Sequence, residues 1–148
     1  MSRRLAREFA IQFLFSMDFN KEEHSEQYIE EFLQHKEEYR DKDEEGVLGK
    51  SPREYAIETL KGAMQHLEEI DKLIEFHTTG WKKERIAKVD LAILRLAIYE
   101  IVFNDNVPDS VAVNEAVELA KKYSTEDSGS FVNGVLGKII RNKSEQDV

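Results

Sequence analysis

The chain has 148 residues, enough for one domain whose core buries about 70% of the surface of the unfolded polypeptide. It contains no cysteine, which excludes disulfides and thiolate metal sites, and no apolar run reaches the roughly 18 residues of a membrane span, so a soluble, cytoplasmic protein without membrane contacts is expected. The formal charge of -9, from 30 acidic and 21 basic side chains, opposes general affinity for nucleic acid, so any such contact must come from a local basic cluster.

In the first helix, predicted over residues 5–19, Ala6, Phe9, Ala10, Phe13, Leu14 and Met17 recur at helical spacing and form a buried stripe. Arg4, Arg7, Ile11 and Phe15 share another face, expected to see solvent, with Arg3 just ahead of it. Asn20 and Glu23 have the spacing of a capping box, and Tyr28, Ile29, Phe32 and Leu33 then mark a second helix ending near Lys36. Residues 36–50, dense in charge and holding Gly46 and Gly49, read as a mobile linker.

Ser51, Pro52 and Glu54 supply a hydroxyl cap, a proline at the first helical position and a glutamate three residues after the cap. One long helix is predicted to follow. Ala56, Leu60, Ala63, Leu67, Ile70, Ile74 and His77 make a heptad-like seam along it until Thr78, Thr79 and Gly80 stop it. Residues 1–80 are thus expected to form a first helical subdomain and residues 81–148 a second, together making one domain.

Trp81 opens the second half, and residues 82–86 predict a short turn of helix. The stretch 89–103, VDLAILRLAIYEIVF, is apolar nearly all round, which predicts a buried central helix surrounded by the others. Its three charges, Asp90, Arg95 and Glu100, point to three different sides. Residues 104–108 break the chain. Val113, Ala116, Val117 and Ala120 define a helix ending near Tyr123, and residues 124–127 suit the capping of a last helix, about 128–141, with Phe131, Val132, Val135, Leu136 and Ile139 inward. Gly134, inside that helix, is expected to permit close approach of another helix. Nothing reads as a strand, so the fold class is all-α.

The signals for catalysis are weak. His24, His35, His66 and His77 are scattered and read as surface or boundary residues, the glutamates fall in runs typical of solvated faces, and no strand precedes Gly129 or Gly134 to make a phosphate loop. No enzyme, metal or cofactor is expected. A binding role fits better, because single-stranded RNA is held by cations on phosphates and flat side chains under splayed bases. Arg3, Arg4 and Arg7 could each displace a counterion, with Phe15 as a stacking surface, while Lys82, Lys83, Arg85 and Lys88 form a second basic group. The bland alternatives are an exposed helix start, a core phenylalanine and a solvated turn.

Two segments carry a resemblance. RRLAREFAIQFLFSMDF (3–19) resembles the arginine-rich first helix of the bacterial transcription antitermination factor NusB family, and ELAKKYSTEDSGSFVNGVLGKI (118–139) resembles its C-terminal signature, with FVNGVL (131–136) the specific part. VDLAILRLAIYEI and VPDSVAVNEAVELAKKY also match, so nearly the whole chain is covered apart from the charged linker and the tail. The resemblance implies an all-helical fold of two small bundles set against each other and a non-enzymatic protein that pairs with NusE, a small-subunit ribosomal protein. The pair binds the boxA element of nascent ribosomal RNA so that the RNA polymerase antitermination complex passes terminators.

Position by position, the resemblance assigns Arg3, Arg4 and Arg7 to an arginine-rich RNA-binding motif, Phe15 to a position that is tyrosine in many members, and Glu84, Asp127 and Phe131 to the RNA surface. Arg85 joins them as part of the second basic group. Asp90 matches a position facing NusE, and Lys82 and Lys83 are assigned to partner contact. Ser130 stands where lysine is common and Gly137 where aspartate is frequent, which predicts weak RNA binding by the chain alone and more dependence on its partner. Two other readings remain open at this point: a protein-interaction scaffold or homodimer, and a targeting domain separated from an RNA methyltransferase.

Overall fold

The computed structural model describes residues 2–17, 26–38, 50–78 and 85–146. Seven α-helices occur among the described residues: α1 (Ser2–Met17), α2 (Glu26–Glu38), α3 (Lys50–Gln65), α4 (Leu67–His77), α5 (Lys88–Ile98), α6 (Asp109–Tyr123) and α7 (Glu126–Gln146). A π-helical turn, Tyr99–Phe103, continues α5. The proposed capping box at Asn20 and Glu23 and the residues 39–49 of the charged linker lie outside the described residues.

The central helix is α5, as its composition predicts. Every residue from Asp90 to Ile98 is buried, and α5 packs against α1, α3, α4, α6 and α7. A helix without a solvent face is stable only when neighbours cover every side. Its charges are covered as well, each by a different element. Asp90 accepts a hydrogen bond from Ser128 of α7. Arg95 forks onto Asp71 of α4, at 2.9 and 3.0 Å. Glu100, in the π-helical turn, meets Arg7 of α1 and Tyr55 of α3. The wider turn of a π-helix shifts the register of side chains by one, and here Glu100 and Ile101 are both buried in consecutive positions.

The stripe of α1 is buried throughout, and Phe13 meets Tyr28 and Phe32 of α2 with ring centroids 5.6 and 5.3 Å apart. The long helix expected after Ser51 is divided in two at His66, which leaves helical geometry at φ -109°, ψ 16°. Its imidazole lies flat on Phe103, with centroids 4.0 Å apart and planes at 12°. One turn earlier, a Cβ on Gly62 would stand 2.2 Å from the Tyr99 hydroxyl. The π-helical turn thus packs against α3 at its last turn, while the hydrogen bonds from His66 N–H to Gly62 and from Ile70 N–H to His66 carry the helical path across the break. The seam passes through the break because Ala56, Leu60, Ala63, Ile70, Ile74 and His77 remain buried. His77 is not a surface residue: it contacts the Leu73 carbonyl at 2.8 Å through Nδ1 and Asn142 of α7 at 2.7 Å through Nε2.

At the start of α7, the Thr125 hydroxyl accepts from the Ser128 N–H at 3.0 Å, the hydrogen bond of a helix N-cap. The expectation for Gly134 is corrected: it is exposed, and an added Cβ would meet nothing within 4 Å. The close approach sits at Gly129, where a Cβ would come within 3.0 Å of the Lys121 side chain of α6, and at Gly62.

Candidate nucleic-acid interface

The arginines at the start of α1 divide into an exposed pair and a buried one. Arg3 is exposed, its guanidinium 4.1 Å above the centre of the Tyr55 ring. Arg4 is half exposed and forks onto Glu115 of α6, Nε to Oε2 at 2.7 Å and Nη2 to Oε1 at 3.0 Å. That hydrogen bond and charge push the Arg4 pKa up. Arg7 corrects the expectation of a solvent-facing basic side. It is 4% exposed, donates to both oxygens of Glu100 at 3.2 and 3.0 Å, and reaches the Tyr55 hydroxyl. Ile11, on the same face, is buried too. The reason is tertiary: α1 lies between α3 on one side and α5 on the other, so two of its faces are covered.

Further along α1, Phe15 is half-buried against the core and lines a groove of about 320 Å³ with Ile11, Gln12, Phe32, Val89 and Tyr123. Glu8 closes the end of this groove, accepting from Lys122 Nζ at 2.5 Å and from the Tyr123 hydroxyl. The next residue along the chain, Asp90, lines a second cleft. Arg85, Ile86, Ala87, Asp90, Asp127, Ser128 and Phe131 line that cleft, of about 360 Å³, between the entry to α5 and the first turn of α7.

The cleft gathers Arg85, Asp90, Asp127 and Phe131, four residues singled out from the sequence. Arg85 and Asp127 are exposed and Phe131 is half-buried. Asp127 lies in the first turn of α7, where the helix dipole favours an anion. Asp90 is 6% exposed; its Oδ2 accepts from Ser128 at 3.1 Å, but its Oδ1 finds no hydrogen-bond donor among the described residues. Burial raises the Asp90 pKa, and the Ser128 hydrogen bond offsets part of that rise. An unpaired buried carboxylate oxygen is costly unless something supplies a donor. Glu84, Lys82 and Lys83 lie outside the described residues. Among the described residues no group of acidic and histidine side chains could hold a metal ion, and no helix is long and apolar enough to cross a membrane.

The profile of the NusB family matches residues 4–141, an interval that takes in Arg4, the central helix and the whole cleft. The chain belongs to the NusB family. Transcription antitermination protein NusB of Acetivibrio thermocellus is 57% identical over 96 residues, 65% of this chain and 66% of the relative. That of Ruminiclostridium cellulolyticum is 48% identical over 104 residues, 70% and 72% of the two chains. The aligned part thus spans about two thirds of the length of these curated relatives. Among solved structures, T. maritima NusB superposes with a TM-score of 0.80 at 34% identity, covering 99% of this chain and 97% of that one. The NusB chain in a crystal structure of antitermination factors NusB and NusE in complex with double-stranded RNA superposes with a TM-score of 0.79 at 31% identity, covering 95% and 97%.

In this NusB-family chain, Ser130 is exposed and Gly137 half-buried on α7. Sequence reasoning missed the carboxylates that hold the arginines, Glu100 and Glu115, together with Tyr55, Glu8 and Ser128. One signal was available. A charge inside an apolar helix requires a partner when buried, so Glu100 announced a cation elsewhere, although not which one.

Proposed function

We propose that this chain is an RNA-binding transcription antitermination factor that holds the boxA element of nascent ribosomal RNA together with NusE. The observation that carries this reading is the cleft in which Arg85, Asp90, Asp127 and Phe131 converge. Three of them supply distinct parts of single-strand recognition. Phe131 offers a ring edge or face for a base, Asp127 accepts from base amino groups, and Arg85 neutralises a phosphate. Arg3 and Arg4 extend the phosphate track along α1, and Phe15, in the groove beside Tyr123, adds a second apolar surface. Arg7 has a different role, as the internal counter-ion of Glu100. Asp90, Lys82 and Lys83 remain assigned to NusE. The reading places the chain in the cytoplasm beside RNA polymerase and involves no enzymatic step.

Phe76 favours a second reading, a protein-interaction module or homodimer. It is 75% exposed, at the rim of a groove of about 490 Å³ between α4, the π-helical turn and α7. Light scattering separates the two: a dimer indifferent to both RNA and NusE supports the second.

Titrating labelled boxA RNA and a scrambled RNA of equal length, with and without NusE, tests the proposal. It requires preference for boxA in the presence of NusE, and a salt slope of about -0.7 per phosphate neutralised. Equal affinity for the two RNAs with NusE present contradicts it.

A further inference from the structure

Two cations along the seam of α1 and α6 are held by carboxylates of the opposite helix: Arg4 by Glu115, and Lys122 by Glu8. The Arg4 pair differs in kind from the Arg7 pair one turn away. Arg7 and Glu100 have side chains 5% and 1% exposed, so no anion from solvent reaches that guanidinium. Arg4 is 51% exposed and Glu115 19%, so the pair sits at the surface, where ion pairs are weak and exchange with other ions. Yet the geometry is the strong one. Nε and Nη2 meet the two oxygens of Glu115 in parallel, which is also how a guanidinium grips a phosphate. Glu115 therefore occupies the edge of Arg4 best suited to an RNA backbone.

Resting on the RNA-binding reading, we propose that Glu115 is a specificity-determining residue, an internal competitor that occupies the Arg4 fork until a phosphate held in register by the cleft contacts displaces it. An RNA that fills the cleft around Phe131 presents its backbone to Arg4 as an intramolecular partner at high effective concentration and wins the exchange. An RNA lacking those contacts meets a neutralised arginine on a chain of net charge -9 and is repelled. The carboxylate thus weakens all RNA binding, and the loose kind most.

The test compares Glu115→Gln, Arg4→Ala and the double variant with Glu30→Gln, a charge-matched change at an exposed position on α2. Affinities for boxA and scrambled RNA are measured with NusE across a salt series. For Glu115→Gln, scrambled RNA is expected to bind about tenfold tighter and boxA only about threefold tighter, and the salt slope for scrambled RNA steepens by about 0.7. Adding Arg4→Ala removes the gain. The proposal is overturned if Glu115→Gln matches Glu30→Gln, if it weakens binding, or if it lowers the melting temperature with affinity unchanged, which makes Glu115 a packing residue alone. Those results leave boxA preference in the unmodified protein intact, whereas loss of that preference in every variant and in the unmodified protein refutes the RNA reading itself.

Discussion

Asp90 and Glu100 are two buried carboxylates at opposite ends of the central helical segment, and their surroundings are opposites. Both have pKa values raised by burial. Glu100 is enclosed by Arg7 and Tyr55, with donors on both oxygens. Asp90 has Ser128 on one oxygen and no donor on the other among the described residues, beside a cleft. A carboxylate whose oxygens are all engaged locks helices together. One buried with an oxygen left without a donor carries a desolvation cost instead. The same division runs through the arginines of α1, with Arg7 internal and Arg3 and Arg4 at the edge.

The sharpest way to break this comparison is at the enclosed end. Arg7→Ala leaves Glu100 buried without its cation and is expected to cost about 3–5 kcal/mol of stability, read from the denaturation midpoint. The salt slope of RNA binding should stay unchanged wherever the variant is folded. A stable Arg7→Ala variant with a shallower slope would return Arg7 to the RNA surface.

At the open end, Asp90→Asn keeps the shape and the contact to Ser128 but removes the charge. Discrimination of boxA from scrambled RNA is expected to stay unchanged, because the carboxylate lies beneath the surface. Stability is what should move. The folded pKa of Asp90 lies above its unfolded value, so its contribution is fully present below the unfolded pKa and is lost as pH rises through the folded one. The asparagine side chain does not ionise, so the variant gains on the unmodified protein as pH increases from about 4, the unfolded range of aspartate. Parallel stability curves across that window would deny the burial cost. The smallest effect belongs to Gly134→Ala, which meets nothing within 4 Å and is expected to stabilise α7 by about 1 kcal/mol, seen as a higher melting temperature. A loss of RNA affinity there would instead enlarge the interface along α7.

The helices were largely legible because one buried stripe leaves a period in the sequence: Ala6, Phe9, Ala10, Phe13, Leu14 and Met17 are all inside. A second buried face does not announce itself in that way. Arg7 and Ile11 look like an outer side until α3 and α5 are placed, and Glu100 lies 93 positions from Arg7 in the chain. The break at His66 was hidden for a related reason, since the apolar seam keeps its rhythm across it while the ring that His66 stacks on, Phe103, comes from the distant π-helical turn. The rule for a glycine within a helix was sound but applied to the wrong residue, because Gly134 and Gly62 differ only in what packs on them. In the cleft, Asp127 and Phe131 are one turn apart on α7 and readable together. Their meeting with Arg85 and Asp90 is a product of the fold.

The most direct test of the cleft as the seat of RNA recognition is the affinity of Phe131→Ala for boxA RNA in the presence of NusE, alongside its melting curve. Loss of one base-stacking surface predicts binding weaker by about 1–3 kcal/mol in a variant that remains folded. Unaltered affinity in a folded variant would contradict the account and move RNA recognition away from this cleft.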